Sequence, residues 1–195
     1  MTSKNHSRSI HQRYESLLSK VTERKSQVQT FIDMLHNQTT WLTSPASTRF
    51  HLNCEGGLLQ HSVGVAETLL RIKDTLAPDI SDETCVIVGL FHDVGKVGMP
   101  GKPYYIPEAR DGVTTGKYST NQELVSMGLA LRSLYLVSQY VPLSDEEAQA
   151  IAYHDGMYVP EGRSVSHREE ALLLLLHWAD MWTAKVLEER SGEIK

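Results

Sequence analysis

Residues 89–98 read Gly-Leu-Phe-His-Asp-Val-Gly-Lys-Val-Gly, and the interpretation of the whole chain turns on them. The run that leads into them, Cys85–Phe91 (CVIVGLF), is almost wholly apolar, which predicts a helix buried on all sides. Ser81 and Asp82 are its N-cap candidates, and Gly95 is placed to end it. A carboxylate directly after such a helix is expensive, because an unpaired buried charge costs several kcal/mol. Asp93 therefore calls for a cation, and His92 stands next to it. Neighbouring residues on a regular helix point roughly 100° apart. In a frayed last turn both side chains can still converge on one ion, and the free carbonyls there favour positive charge. Lys96, three residues on, can reach over such an ion toward an anionic substrate.

Two more residues repeat the anomaly. His61 lies on the apolar stripe of Leu58, Val65, Leu69 and Ile72. Asp180 lies one turn beyond Leu176, on the most hydrophobic helix of the chain. Taken singly, each has an ordinary explanation. A histidine on an apolar stripe is usually a satisfied core residue, and Asp180 can cap a helix or pair with Lys185 or His177. Together, His61, His92, Asp93 and Asp180 make a first shell for one divalent ion. Nitrogen and oxygen donors without thiolate suit manganese, iron, cobalt, nickel or zinc better than calcium. Four protein ligands on an octahedral ion leave two positions for water or substrate.

Helical spacing of apolar residues runs nearly end to end, with no convincing alternation of strand type. Tyr14, Leu17, Leu18, Val21, Val28, Phe31, Ile32 and Leu35 predict one or two amphipathic helices in the first forty residues. Residues 43–57 form a turn-rich connector, and a helix follows from Leu58 to about Leu76, closed by Pro78. Residues 95–120 hold five Gly, three Pro and three Lys and are expected to be a loop. Asn121 to about Tyr140 is expected to be helical. Two capping boxes, Ser144–Glu147 and Ser166–Glu169, are expected to open helices reaching His154 and about Glu189. The expected fold is an all-α, single-domain helical bundle, with a helical extension over 1–44 and the main domain over 45–190.

Composition limits the function classes. The chain has 195 residues, 41% hydrophobic, with a formal net charge of −5. That supports a real core and excludes wholesale disorder. Two Cys, Cys54 and Cys85, make neither a disulfide framework nor a thiolate zinc site. With no apolar signal-like start and no long apolar run, the expectation is a cytoplasmic protein without membrane contact. The first forty residues carry net +3 and the remainder −8, so a nucleic-acid partner is less favoured than a small molecule. Nine His remain the unusual feature. Residues 112–119 (GVTTGKYS) imitate a phosphate loop, but the spacing is one short, Tyr118 replaces the Ser or Thr, and no strand precedes.

The stretches GGLLQHSVGVAETLL (56–70), GLFHDVGKVG (89–98), AIAYHDG (150–156) and LLHWADMWTA (175–184) resemble the HD-domain metal-dependent phosphohydrolases. Their order H…HD…D falls on His61, His92, Asp93 and Asp180. The resemblance implies an all-α core, a catalytic divalent metal (Mn, Fe, Co, Ni, Zn or Mg) and hydrolysis of a nucleotide or related phosphate ester. PASTRFHLNCEGGLLQH (45–61) is also similar to the entry segment of HD-type 3′–5′ exoribonucleases. Binuclear members carry two further His. His154 matches the later one, but Asn121, Gln122 or Glu123 stands at the earlier, so one tightly held metal is expected and a second is doubtful.

The expected mechanism follows. The metal polarises a phosphoryl oxygen and activates a water, with Asp93 as ligand and proton acceptor. Lys96 neutralises phosphate charge. His154 is either a phosphate contact and proton donor or a polar helix terminus. His51, Lys102 and Lys117 are weaker candidates for substrate contact, the two lysines from a lid formed by 95–120. His177 could orient Asp180 or simply pack. One rival is a phosphodiesterase acting on RNA ends or oligonucleotides, and another is a non-catalytic sensor that holds a nucleotide on the metal. Oligomeric state is not legible.

Overall fold

The computed structural model describes residues 9–48, 52–110 and 112–188. Within them the chain is helical apart from one two-stranded sheet, and none of its helices is long and apolar enough to cross a membrane. The helices are α1 (Ile10–Leu18), α2 (Lys25–Gln38), α3 (Gly57–Leu76), α4 (Asp82–Phe91), α5 (Leu129–Ser138), α6 (Asp145–Tyr153) and α7 (Ala171–Trp182). Strands β1 (Tyr105–Arg110) and β2 (Val113–Thr120) lie between α4 and α5.

The core is laid on α3, which packs against α1, α4 and α7. Leu58, Val65 and Leu69 are fully buried, as their stripe requires. At the α3–α4 crossing a Cβ on Gly89 would lie 2.7 Å from the Ala66 Cα, so only glycine allows this approach. That closeness brings the end of α4, with His92 and Asp93, beside His61. Phe31 of α2 meets Phe91 edge-on at 5.0 Å, and the Trp41 Nε1–H donates to the Tyr14 hydroxyl. The two N-terminal helices thus share the core of the other elements.

Ser81 caps α4 and Ser144 closes a capping box on α6, both as the sequence predicts. The turn that leads into α2 is held from another helix. The backbone N–H groups of Thr22, Glu23 and Arg24 all donate to the Glu83 carboxylate, at 2.6, 2.7 and 3.1 Å. Arg24 then bridges Glu83 on α4 to Glu147 on α6, binding the second carboxylate with both terminal nitrogens at 2.6 and 2.7 Å. These donors hold Glu83 down to about 2 although burial opposes it.

Four sequence expectations are corrected. Residues 105–110 and 113–120 are not loop but paired antiparallel strands, with an irregularity between Pro107 and Ala109. Nearly all its positions are exposed, so neither face shows the alternation that betrays a strand. The helix expected from Asn121 starts only at Leu129. Asn121 instead donates to the Pro103 carbonyl and accepts from the Glu123 N–H, a local turn that competes with helix. Ser166 does not cap α7. His167 takes a left-handed φ of 67°, and Gln149 grips the Arg168 carbonyl and the Glu170 N–H, so the helix starts at Ala171. Gly95 also lies beyond the end of α4, in a 3-10 turn at Val94–Val97. Its N–H donates to Ser133 Oγ on α5, and Arg132, stacked over Tyr104, donates to its carbonyl.

Arg24 thus compensates two carboxylates that are nearly buried, with side chains 8% and 2% exposed. Arg24→Ala is expected to lower the free energy of unfolding by about 3–5 kcal/mol, since the charges stay behind unpaired. Urea denaturation checks this, and a loss below about 1 kcal/mol would show that the network is solvated.

Candidate metal centre

Four elements converge on one point. α3 presents His61 from its middle, α4 ends on His92 with Asp93 following, α6 ends on His154, and α7 presents Asp180 from its last turn. His61 Nε2 lies 3.1 Å from Asp180 Oδ1 and 3.7 Å from Asp93 Oδ2. His92 Nε2 lies 3.6 Å from Asp93 Oδ2 and 4.0 Å from Asp180 Oδ1. His154 Nε2 lies 3.6 Å from Asp93 Oδ1, and its ring centroid is 4.8 Å from that of His92. All three imidazoles are buried, and the Asp93 and Asp180 side chains are 7% and 22% exposed.

The residues fit a divalent cation on one decisive observation. His92 Nδ1 is committed to the Gly89 carbonyl at 2.9 Å, so the ring carries its proton there and its lone pair on Nε2. That Nε2 is buried with no hydrogen-bond partner and faces two carboxylates. Burial pushes the ring down to about 4 even though Asp93 opposes this, so a proton does not solve the problem. A lone pair and two anionic groups aimed at one point are a ligand set. Two overlapping triads have donor atoms all within 4.8 Å of one another: His61, His92 and Asp93, and His92, His154 and Asp180.

Without a metal, protons balance the charge. Burial would push His61 and His154 down. The Asp180 and Glu188 carboxylates raise the first to about 10, and Asp93 raises the second to about 9. Burial works against Asp93 and Asp180 too, yet Lys96 with His92 and His154 holds the first, and His61, His92 and His154 hold the second, well below the usual carboxylate range. Lys96 donates to Asp93 Oδ2, and despite its burial that carboxylate raises it.

The site opens into a cavity of about 380 Å³ lined by His61, Asp93, Lys96, His154, Asp155, Tyr158, His177, Asp180, Met181 and Lys185 among others. Lys96 and His154 thus share it with the four expected ligands. Lys102 and Lys117 do not line it. Lys102 is exposed in the turn that pairs with Met99. Strand pairing turns Lys117 toward a second cleft, of about 470 Å³, with Thr40, Ser44, Glu55, Tyr105 and Tyr118. His51 lies outside the described residues. His177 Nδ1 contacts the His154 carbonyl at 2.7 Å rather than Asp180. One residue escaped the sequence analysis altogether: Glu188, whose Oε1 is 3.1 Å from His61 Nδ1.

A helical domain with a buried cluster of three His and two Asp defines a metal-site protein of the all-α class. The HD domain matches residues 58–183, and the chain belongs to that family, whose members are generally metal-dependent phosphohydrolases. No curated protein and no solved structure matches it.

The raised imidazoles set a pH dependence. Groups whose folded pKa exceeds the ordinary value of 6.5 stabilise fully below that value and lose the contribution as pH rises through the folded pKa. The metal-free protein is expected to lose thermal stability between about pH 7 and pH 10, as His61 and His154 shed their protons beside Asp180 and Asp93. Melting curves in chelator across that range check it, and a rising Tm would contradict it.

Proposed function

We propose that the chain is a metal-dependent phosphohydrolase acting on a nucleotide or related phosphate ester, with His61, His92, Asp93 and Asp180 as ligands of one divalent ion. The observation that carries this reading is the orphaned His92 Nε2 facing two carboxylates, with the Lys96 ammonium at the rim of the same cavity. A bound ion would supply a Lewis acid for the phosphoryl oxygen and a water acidic enough to attack at neutral pH.

The remaining steps fall to the chain itself. Lys96 keeps one N–H on Asp93 and turns the others toward the substrate phosphate, where they neutralise charge that grows in the transition state. Asp93 would help hold the ion and would accept the proton of the attacking water on its carboxylate. His154 has its Nδ1 tied to the Ile151 carbonyl, which leaves Nε2 to hold the proton destined for the leaving oxygen. Tyr158 and Met181 offer apolar surface beside the phosphate position. We assign residues 45–190 to the catalytic domain, 1–44 to a helical extension, and the protein to the cytoplasm, with a small phosphate ester as its partner.

A second reading, a phosphodiesterase acting on an oligonucleotide, draws on the hairpin cleft. Tyr105 and Tyr118 lie 6.3 Å apart there beside Lys117, and aromatic faces with a cation suit a single strand. Its signature is salt: an oligonucleotide substrate would weaken steeply as salt rises, whereas a mononucleotide would change little.

Asp93→Ala is expected to lose both bound divalent metal, by elemental analysis, and phosphate release from a nucleotide panel. Lys96→Ala is expected to keep the metal and lose about 10²-fold or more in kcat/KM. An Asp93→Ala protein that retained metal and activity would refute the assignment. Binding of nucleotides by the metal-loaded protein without phosphate release would favour a sensor.

A further inference from the structure

A metal-binding histidine works only if its second nitrogen is held, because that bond fixes which nitrogen carries the proton and how the ring points. Two of the three imidazoles solve this in the same way. His92 and His154 are the C-cap residues of α4 and α6, and each Nδ1 takes the carbonyl three residues back, Gly89 or Ile151, at 2.9 Å. Those carbonyls are free because a helix leaves its last four unpaired. His61 has no such option. It sits on the fifth residue of the 20-residue α3, where the preceding carbonyls are used by the helix itself.

The missing acceptor comes from the far end of the chain. Glu188 Oε1 and Oε2 lie 3.1 and 3.3 Å from His61 Nδ1, and the Glu188 side chain is 7% exposed. Its placement depends on an irregular turn. After α7 the chain continues as a π-helical turn, Thr183–Glu188. Eight α-helical residues at about 100° each would leave Glu188 about 80° off the face that carries Asp180. The wider i to i+5 turn takes back that rotation. The turn is seated on α3 by Thr183 Oγ1, which donates to Thr68 Oγ1 at 3.1 Å in the core. Gly64 leaves the room for it: a Cβ there would stand 2.9 Å from Thr183 Cγ2.

We propose that Glu188 is the positioning residue of the metal centre, accepting the Nδ1–H of His61 so that the Nε2 lone pair faces the ion; this rests on the metal reading above. Mn²⁺ affinity, measured by calorimetry on the full chain, tests it. Glu188→Leu is expected to weaken Mn²⁺ binding about 10- to 100-fold. Glu188→Gln, which keeps an acceptor without the charge, is expected to recover part of that loss. A residue acting through His61 must also be silent once His61 is gone, so Glu188→Leu added to His61→Ala is expected to change the remaining affinity no further. Circular dichroism of each variant reports whether the helices persist. Glu188→Leu binding Mn²⁺ like the wild type would overturn the proposal, as would equal losses in the two His61 backgrounds, the mark of a merely structural role. In either case loss of Mn²⁺ by His61→Ala would leave the metal reading standing. A wild-type protein that binds no divalent ion would overturn both.

Discussion

The structure is organised around a burial problem. Asp93 directly follows one core helix and Asp180 stands on another, and their oxygens point at the same place as the lone pair of His92 Nε2. Desolvating two carboxylates costs more than any packing gain at those positions returns. The arrangement persists only because cations face it: Lys96 from the adjoining 3-10 turn, and either protonated imidazoles or a divalent ion from within. Other features of the fold serve to hold the ring of donors closed. Gly89 sets the α3–α4 distance, Ser133 and Arg132 fix the turn that carries Lys96, and Gln149 ties the segment before α7 to α6.

A second set of charges does a different job. Arg24, Glu83 and Glu147 link α2, α4 and α6. There the cation is built in, the carboxylates accept backbone N–H groups as well, and little is left for a ligand to satisfy. The contrast separates a structural network from a functional one. In the first, each carboxylate oxygen has a donor in the chain. In the second, one nitrogen has none.

What could be read from the sequence divides along the same line. His61, His92, Asp93 and Asp180 stood out because each interrupts an apolar helix, and such interruptions are visible without coordinates. The all-α class and the caps at Ser81 and Ser144 were legible for the same local reason. Glu188 was not. Regular helical periodicity puts it on another face, and only the π turn, a product of tertiary contact with α3, returns it to the site. The hairpin was missed because a strand exposed on both faces leaves no period-two signal. The helix expected from Asn121 starts late because Leu124 and Met127 have helical spacing but no core beneath them, Met127 being 38% exposed.

Charge accounting ties the centre together. At neutral pH the metal-free site carries three carboxylates, Asp93, Asp180 and Glu188, against Lys96 and the imidazoliums of His61 and His154. The sum is zero. A divalent ion held by His61, His92, Asp93 and Asp180 would take the place of the His61 proton and leave that of His154 where it is. His92, pushed down to about 4, takes no part in the proton balance and keeps its lone pair throughout.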